Sequence, residues 1–197
     1  MSGSEMTCQP LTPERWGDFT SLFGKNGACG GCWCMWWRQT RSDFEKKHGA
    51  ANRRAMKRIV DSGEVPGLLG YSGDHVVGWV SVAPREKFES LERSRVLSRL
   101  DDLPVWSIVC LFVHKSERGR HLSEQLVRCA VEYAFSKGAP AVEAYPTEPR
   151  GRRLQAVSSF MGVPELFSEV GFAECARPSK SRVIMRRYAG GRRAAAP

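Results

Sequence analysis

No run in this 197-residue chain approaches the roughly 18 uninterrupted apolar residues that a membrane-spanning helix needs. The opening stretch, MSGSEMTCQPLTPERW, lacks the basic-then-apolar pattern of a secretory leader, so a cytoplasmic protein without a membrane partner is expected. Internal repeats and low-complexity linkers are also missing, which predicts one domain over residues 1–188. Residues 189–197, basic and rich in Gly and Ala, are read as a frayed tail rather than a nucleic-acid arm. An even disulfide framework is absent too. The cysteines number seven, and Cys110 and Cys129 lie in segments that read as core, so reduced thiols are expected.

What is present points to one core and an anionic partner. Hydrophobic residues make up 42% of the chain, enough for a single well-filled domain of this length. A formal charge of +9 favours nucleic acid, an acidic protein surface or a phosphorylated cofactor, and charge alone does not choose among them.

Residues 5 to 11 read as a short strand, and Thr12-Pro13 starts a helix to about Phe23. A capping box of Ser42 and Glu45 opens a second helix running to Asp61, whose exposed side carries Lys46, Lys47, Arg53, Arg54, Lys57 and Arg58. Two strands flank the turn Ser72-Gly73-Asp74 and end at Pro84. Phe88, Leu91, Val96, Leu97 and Leu100 lie among charges, which predicts a helical insertion on the sheet. The run VWSIVCLFV, residues 105–113, is almost wholly apolar and reads as a central strand covered on both faces.

From Gly119 onward Leu122, Leu126, Ala130 and Ala134 recur every fourth residue as one face of a helix. The strand AVEAYP follows, so residues 105–145 form a β-α-β crossover. A short helix ends at Gly171, and SRVIMRRY closes the sheet. The expected class is α/β, a mixed sheet with a hairpin before one parallel crossover.

The junction FVHKSERGRHLSEQL carries a buried strand directly into a helix start, where unpaired backbone N–H groups and the helix dipole attract phosphate oxygens. Lys115, Arg118 and Arg120 add positive charge beside it. A solvated loop that is basic for no ligand reason is the alternative.

These residues resemble the GNAT superfamily of acyl-CoA-dependent N-acyltransferases. Its pyrophosphate turn, Q/R-x-x-G-x-G/A, is met here by Arg118, Gly119, Arg120, His121, Leu122 and Ser123, with His121 where the family has Gly and Ser123 at the Gly/Ala position. A second family segment, N-x-x-A-x-x-L-Y-x-x-x-G-F, is similar to FMGVPELFSEVGF, with Leu166, Gly171 and Phe172 in register, Phe160 at the Asn position and Phe167 at the Tyr position. The resemblance spans about residues 6–188. It implies the GNAT fold, acetyl-CoA as donor and an amine as acceptor, in a monomer or homodimer with no nucleic acid. It also implies that Leu111, Phe112 and Val113, the turn 118–123, Phe160 and Phe167 hold the donor.

In such a reaction a neutral amine attacks the thioester and a strand N–H stabilises the oxyanion. The family often places Glu six residues before the Val, and that position here is Ser107. Glu143 and Tyr145 share one face of the next strand and are the base and acid candidates; the alternative is that Glu143 pairs with an Arg and Tyr145 packs. Phe167 cannot supply the proton that the usual Tyr gives the leaving thiolate. Residues 146–159, with Arg150, Arg152 and Arg153, are longer than a minimal connection and read as a substrate-side lid.

The run GACGGCWCMWWRQ, residues 27–39, admits three readings. Cys29, Cys32 and Cys34 could bind zinc with Cys8 or His48, although a second Cys-x-x-Cys knuckle is missing. As a redox pair the motif lacks its usual helix start, and Gly30-Gly31 suggests a mobile turn. On the GNAT-like fold the loop would place Trp33, Cys34, Trp36 and Trp37 along the acceptor, or bury them as core; no metal is expected. Three functions therefore stand: an N-acetyltransferase, a non-catalytic acyl-CoA-binding regulatory module, and a zinc-bearing nucleic-acid binder using residues 46–58.

Overall fold

The computed structural model describes residues 6–149 and 160–191. Seven strands form one mixed sheet: β1 (Thr7–Pro10), β2 (Leu68–Ser72), β3 (His75–Pro84), β4 (Trp106–Val113), β5 (Ala141–Ala144), β6 (Ala173–Ser179) and β7 (Arg182–Tyr188), in the spatial order β1-β2-β3-β4-β5-β7-β6. Only β4 and β5 run parallel, joined by the helix α5 (Leu122–Ser136), which is the expected crossover.

One face of the sheet is covered by α5. Its Leu126, Val127, Ala130, Val131 and Ala134 are buried with Val80, Val82, Ile108 and Val142, each full burial contributing about 1.5–3 kcal/mol for a Val or Leu. The opposite face carries two clusters. Helix α1 (Trp16–Phe23), the cysteine-rich loop and helix α3 (Ala50–Asp61) enclose Leu69 and Trp79. Phe88, Leu91 and Leu97 cover Ala83, Val109, Tyr145 and Ile184.

Several expectations change. The helix expected over 42–61 is two, α2 (Arg41–Lys46) and α3, separated at Gly49, and the cap of α2 is Thr40, whose hydroxyl oxygen accepts from the Asp43 N–H at 3.1 Å. Thr40 wins over Ser42 because its extended backbone aims the side chain at the first turn. The insertion after Pro84 is mostly irregular: a 3-10 turn and the one-turn helix α4 (Glu89–Glu92), held by the Arg85 side chain rather than by helix periodicity.

SRVIMRRY does not close the sheet. It lies between β5 and an edge strand, β6, that the sequence conceals because its residues are mostly exposed and polar. The cysteines are not all reduced thiols: Cys8 of β1 and Cys129 of α5 form a disulfide, since the sheet brings β1 over the middle of that helix. Residues 150–159, which carry most of the expected lid, and 192–197 of the expected tail lie outside the described residues. Among the described residues no helix is long and apolar enough to cross a membrane.

Candidate active site

The site is built where β4 and β5 part. They pair only from Trp106 to Ile108, against Val142 to Ala144. Against β3, Ser81 faces Cys110 and Val82 faces Ile108, so Val109 is an extra, bulged residue. The bulge resets the alternation of β4. Ile108 and Leu111 pack on the α5 side, while Val109, Cys110 and Phe112 face the other clusters. Beyond Ile108 the β5-side edge of β4 opens into a gap, and the Leu111 N–H donates across it to the Phe160 carbonyl at 2.6 Å.

At the end of β4 the chain turns into α5 through left-handed conformations at Gly119 (φ 81°) and His121 (φ 55°). Only Gly adopts that region without cost, so His121 carries strain at the position where the family motif has Gly. The first N–H groups of α5, from Leu122 and Ser123, have no carbonyl one turn back within the helix. They open on a cleft of about 260 Å3 lined by Val113, Arg118, Gly119, His121, Leu122 and Ser123, with Leu166 and Glu169 from helix α6 (Pro164–Glu169) on the far side. A Cβ at position 119 would meet nothing within 4 Å, so the turn stays open above the cleft. Lys115, Arg118 and Arg120 are exposed around it. Arg120 is partly neutralised by Glu117 at 2.5 Å, which leaves Arg118 and Lys115 as the less compensated charges. Phosphate groups fit this turn by charge and by backbone donors.

Phe160 borders the gap through its carbonyl, with its ring partly buried against the Val109 and Tyr145 cluster. Phe167 is fully buried, edge-on to Phe172 with ring centres 5.3 Å apart, and Leu166, not Phe167, lines the cleft. Phe112 is turned away from α5, its ring 5.5 Å from Phe23.

Ser107, Glu143 and Tyr145 meet in one buried network at the foot of the gap. Tyr145 donates to Glu143 Oε2 at 2.6 Å, shares a hydrogen bond with the Ser107 hydroxyl at 2.7 Å and accepts from Arg85 Nη1 at 2.8 Å. Arg85 also donates to Glu143 Oε2 at 3.2 Å, and Arg186 Nε donates to Oε1 at 2.6 Å. Both carboxylate oxygens are thus taken up by guanidinium groups. Burial, then the Glu143 charge, pushes the Tyr145 hydroxyl well above the ordinary phenol range, so it stays protonated. Burial opposes the charge of Arg85, but Tyr145, Glu143 and Glu92 outweigh it and hold the cation. Arg85 and Arg186 escape a reading by pattern. Both lie among other charged residues, and only the fold shows them to be buried.

The cysteine-rich loop separates its members. Its backbone is left-handed at Ala28, Trp33 and Cys34. Trp33 is buried with its ring 5.8 Å from that of Phe23, and Arg53 lies 5.5 Å over it. Cys34 is buried and accepts from the Trp79 indole N–H at 3.2 Å. Trp36 is half-buried, edge-on to Phe44, under Arg41. Trp37, half-buried, packs on the cluster that holds Val109, Tyr145 and Phe160.

Gly31 is held against the start of α3. The Gly31 carbonyl accepts from the Gly49 N–H at 3.1 Å and from Asn52 Nδ2 at 3.0 Å, and a Cβ on Gly31 would stand 2.6 Å from the Gly49 nitrogen. Cys8, a candidate zinc ligand, is bonded to Cys129, and among the described residues no three His, Cys, Asp or Glu side chains gather as a metal site.

The same fold is found in solved structures of low identity. They include a PaiA N-acetyltransferase from Thermoplasma acidophilum in complex with coenzyme A, 12% identical with a TM-score of 0.51 over 95% of this chain and 99% of that one. The putative acetyltransferase yncA from Salmonella typhimurium with acetyl-CoA is 14% identical, with a TM-score of 0.53 over 96% and 97%. A ribosomal-protein-alanine N-acetyltransferase from Brucella melitensis is 15% identical, with a TM-score of 0.51 over 92% and 99%. No curated protein matches in sequence. The model of the acetyltransferase (GNAT) family matches residues 32–157, a span that holds the second part of the cysteine-rich loop from Cys32, the bulged strand and the basic turn. With well over half of its length matched, the chain belongs to the GNAT family of acetyltransferases.

Proposed function

We propose that this protein transfers an acetyl group from acetyl-CoA directly to the amine of an acceptor, both bound at once. The observation that carries the reading is the basic turn at Gly119–Ser123, whose cleft is also lined by Val113, the last residue of β4, beyond the point at Ile108 where β5 stops pairing with it. The diphosphate of the donor fits the N–H groups of Leu122 and Ser123 with Arg118 and Lys115 beside them. Backbone groups of Leu111 and Val113 line the edge of β4 along which its arm would extend.

For that edge to serve, the Leu111 N–H exchanges the Phe160 carbonyl for the donor. An amine that arrives neutral attacks without a side-chain base, and the preorganised N–H groups of the bulged strand are the oxyanion donors. In this reading Ser107, Glu143 and Tyr145 are positioning residues rather than base and acid. The two arginines on Glu143 and the direction of the Tyr145 proton support that role, because both carboxylate oxygens and the phenol proton are already engaged within the buried network. Trp37 is the loop residue that borders the acceptor side. We further propose a single domain acting in the cytoplasm as a monomer or homodimer.

Titration calorimetry with acetyl-CoA, followed by thiol release with a panel of polyamines, amino acids and peptides, tests the reading. Saturable binding together with amine-dependent thiol release is expected. Binding without release by any amine would leave the non-catalytic acyl-CoA module, which the missing hydroxyl at Phe167 favours. Absence of binding would overturn both.

A further inference from the structure

Beyond Ala144 the chain leaves β4 and stays with β7. The Val183 N–H donates to the Pro146 carbonyl at 3.4 Å, the Glu148 N–H donates to the Ser181 carbonyl at 3.1 Å, and Thr147 bridges to Arg182. The gap therefore has two walls, the edge of β4 at Leu111 and the continuation of β5 at Thr147. One short segment spans it. The Phe160 carbonyl accepts from the Leu111 N–H at 2.6 Å, and two residues on the Gly162 carbonyl accepts from the Thr147 N–H at 3.0 Å. Between them Met161 is only 2% exposed, and its sulfur accepts from Arg182 Nη1 at 3.2 Å. The same guanidinium nitrogen donates to Thr147 Oγ1 at 2.8 Å, so Arg182 pins Met161 to the Thr147 wall. Phe160–Gly162 thus takes the place of a missing strand, with one carbonyl on each wall.

We propose that Phe160–Gly162 is an autoinhibitory strap: in the free protein it occupies the edge of β4 that the arm of acetyl-CoA needs, and the donor binds by displacing it. The inference rests on the donor reading given above and adds the regulation of that site. Three features suit the segment to leave. Its bonds to the walls are made by backbone carbonyls, and the arm of acetyl-CoA carries two amides whose carbonyls can replace Phe160 at Leu111. Gly162 is left-handed (φ 76°), and a Cβ there would stand 2.8 Å from Phe167 Cε2, so the docked form depends on a glycine at its end. Two residues after Gly162 the chain enters α6, whose Leu166 and Glu169 line the phosphate cleft, so the strap is joined directly to one wall of that cleft.

Docked and open straps are two states of one protein. The donor's apparent affinity is reduced in proportion to the fraction of molecules that are open, and a change that loosens the docked form removes that penalty. A ligand that uses only the phosphate turn does not meet the strap and does not carry the penalty.

Calorimetry on the full chain and on Met161→Ala compares acetyl-CoA with ADP, which has a diphosphate but no arm. Loosening the strap should lower the apparent Kd for acetyl-CoA by about threefold or more and leave that for ADP within about twofold. Gly162→Ala, which strains the docked turn from its other end, should act in the same direction and carries the comparison if Met161→Ala does not fold. Hydrogen exchange on the unaltered protein gives a separate readout. Donor binding should speed exchange at the Thr147 amide, which loses the Gly162 carbonyl, while the Leu111 amide stays protected by its new partner. The strap is overturned if a folded variant binds acetyl-CoA no tighter than the parent, if ADP tightens as much as acetyl-CoA, or if exchange at Thr147 slows or keeps its rate when the donor binds. If acetyl-CoA binds neither the parent nor the variants, the donor reading falls and the strap with it, a pattern that the other outcomes do not share.

Discussion

Arg85 and Glu143 form an ion pair between residues 58 positions apart, with only 1% of either side chain exposed. Arg85 comes from the irregular segment after β3, and Glu143 from β5 at the point where it leaves β4. The pair therefore fixes the cover of the lower sheet to the strand whose departure makes the gap. Arg186, shared with Asp101, completes the charge balance.

Removing one partner of such a pair strands the others. Glu143→Gln leaves Arg85 and Arg186 without a counter-charge and should lower unfolding free energy by about 3–5 kcal/mol. Urea denaturation followed by tryptophan fluorescence measures it. If acetyl transfer depends on Glu143 only for position, the pH profile of the surviving activity should keep its shape while its height falls. A lost acidic limb would instead assign the proton to Glu143.

The same network gives an acid limit. The hydrogen bond from Arg186 holds the Asp101 carboxyl below its usual range, so its contribution is present at neutral pH and is lost as pH falls through that depressed value. Melting temperature should drop on acidification below the ordinary aspartate range. Asp101→Asn should flatten that part of the curve.

At the phosphate turn, Arg118→Ala should weaken acetyl-CoA binding by roughly tenfold, a loss of about 1.4 kcal/mol in a charge-assisted contact. Arg120→Ala should do less, because Glu117 already shares that guanidinium. Calorimetry at two salt concentrations separates direct contact from general charge attraction.

The left-handed turn predicts opposite signs at two neighbours. His121→Gly relieves a φ of 55° and should stabilise the fold by up to about 1 kcal/mol, whereas Gly119→Ala at φ 81° should cost about 1–2 kcal/mol. Thermal melts of both variants check this.

The Cys8–Cys129 disulfide closes a loop of 121 residues. Chain-entropy arguments give about 4–5 kcal/mol for a loop of that size, so reduction should shift the urea midpoint downward with little change in the folded circular dichroism. Cys8→Ser should reproduce the shift without a reductant.

Much of the fold is legible from periodicity. The almost wholly apolar run at 105–113 reads as a strand covered on both faces, and the recurrence at every fourth residue from Leu122 to Ala134 reads as a helix lying on it. With Gly119 between them, the strand, the basic turn and the helix start are local facts, legible from the residues themselves.

Other features escape local pattern because their causes are distant in sequence. The bulge at Val109 depends on how β3 pairs, and β6 is an exposed edge that buries too little to show a pattern. Trp33, Cys34, Trp36 and Trp37 stand within five positions, yet the left-handed backbone sends the first two into the core around Trp79, while Trp37 packs on the separate cluster around Tyr145.

The sequence by itself determined the strand, the helix start and the basic turn, since each rests on spacing and charge within about 20 residues. Only the tertiary structure decided which charges are buried, which tryptophan enters which cluster and which cysteines bond. Those outcomes follow from contacts between segments tens of residues apart, where burial converts a solvated Arg85 or a plain Cys34 into a paired and chemically distinct group.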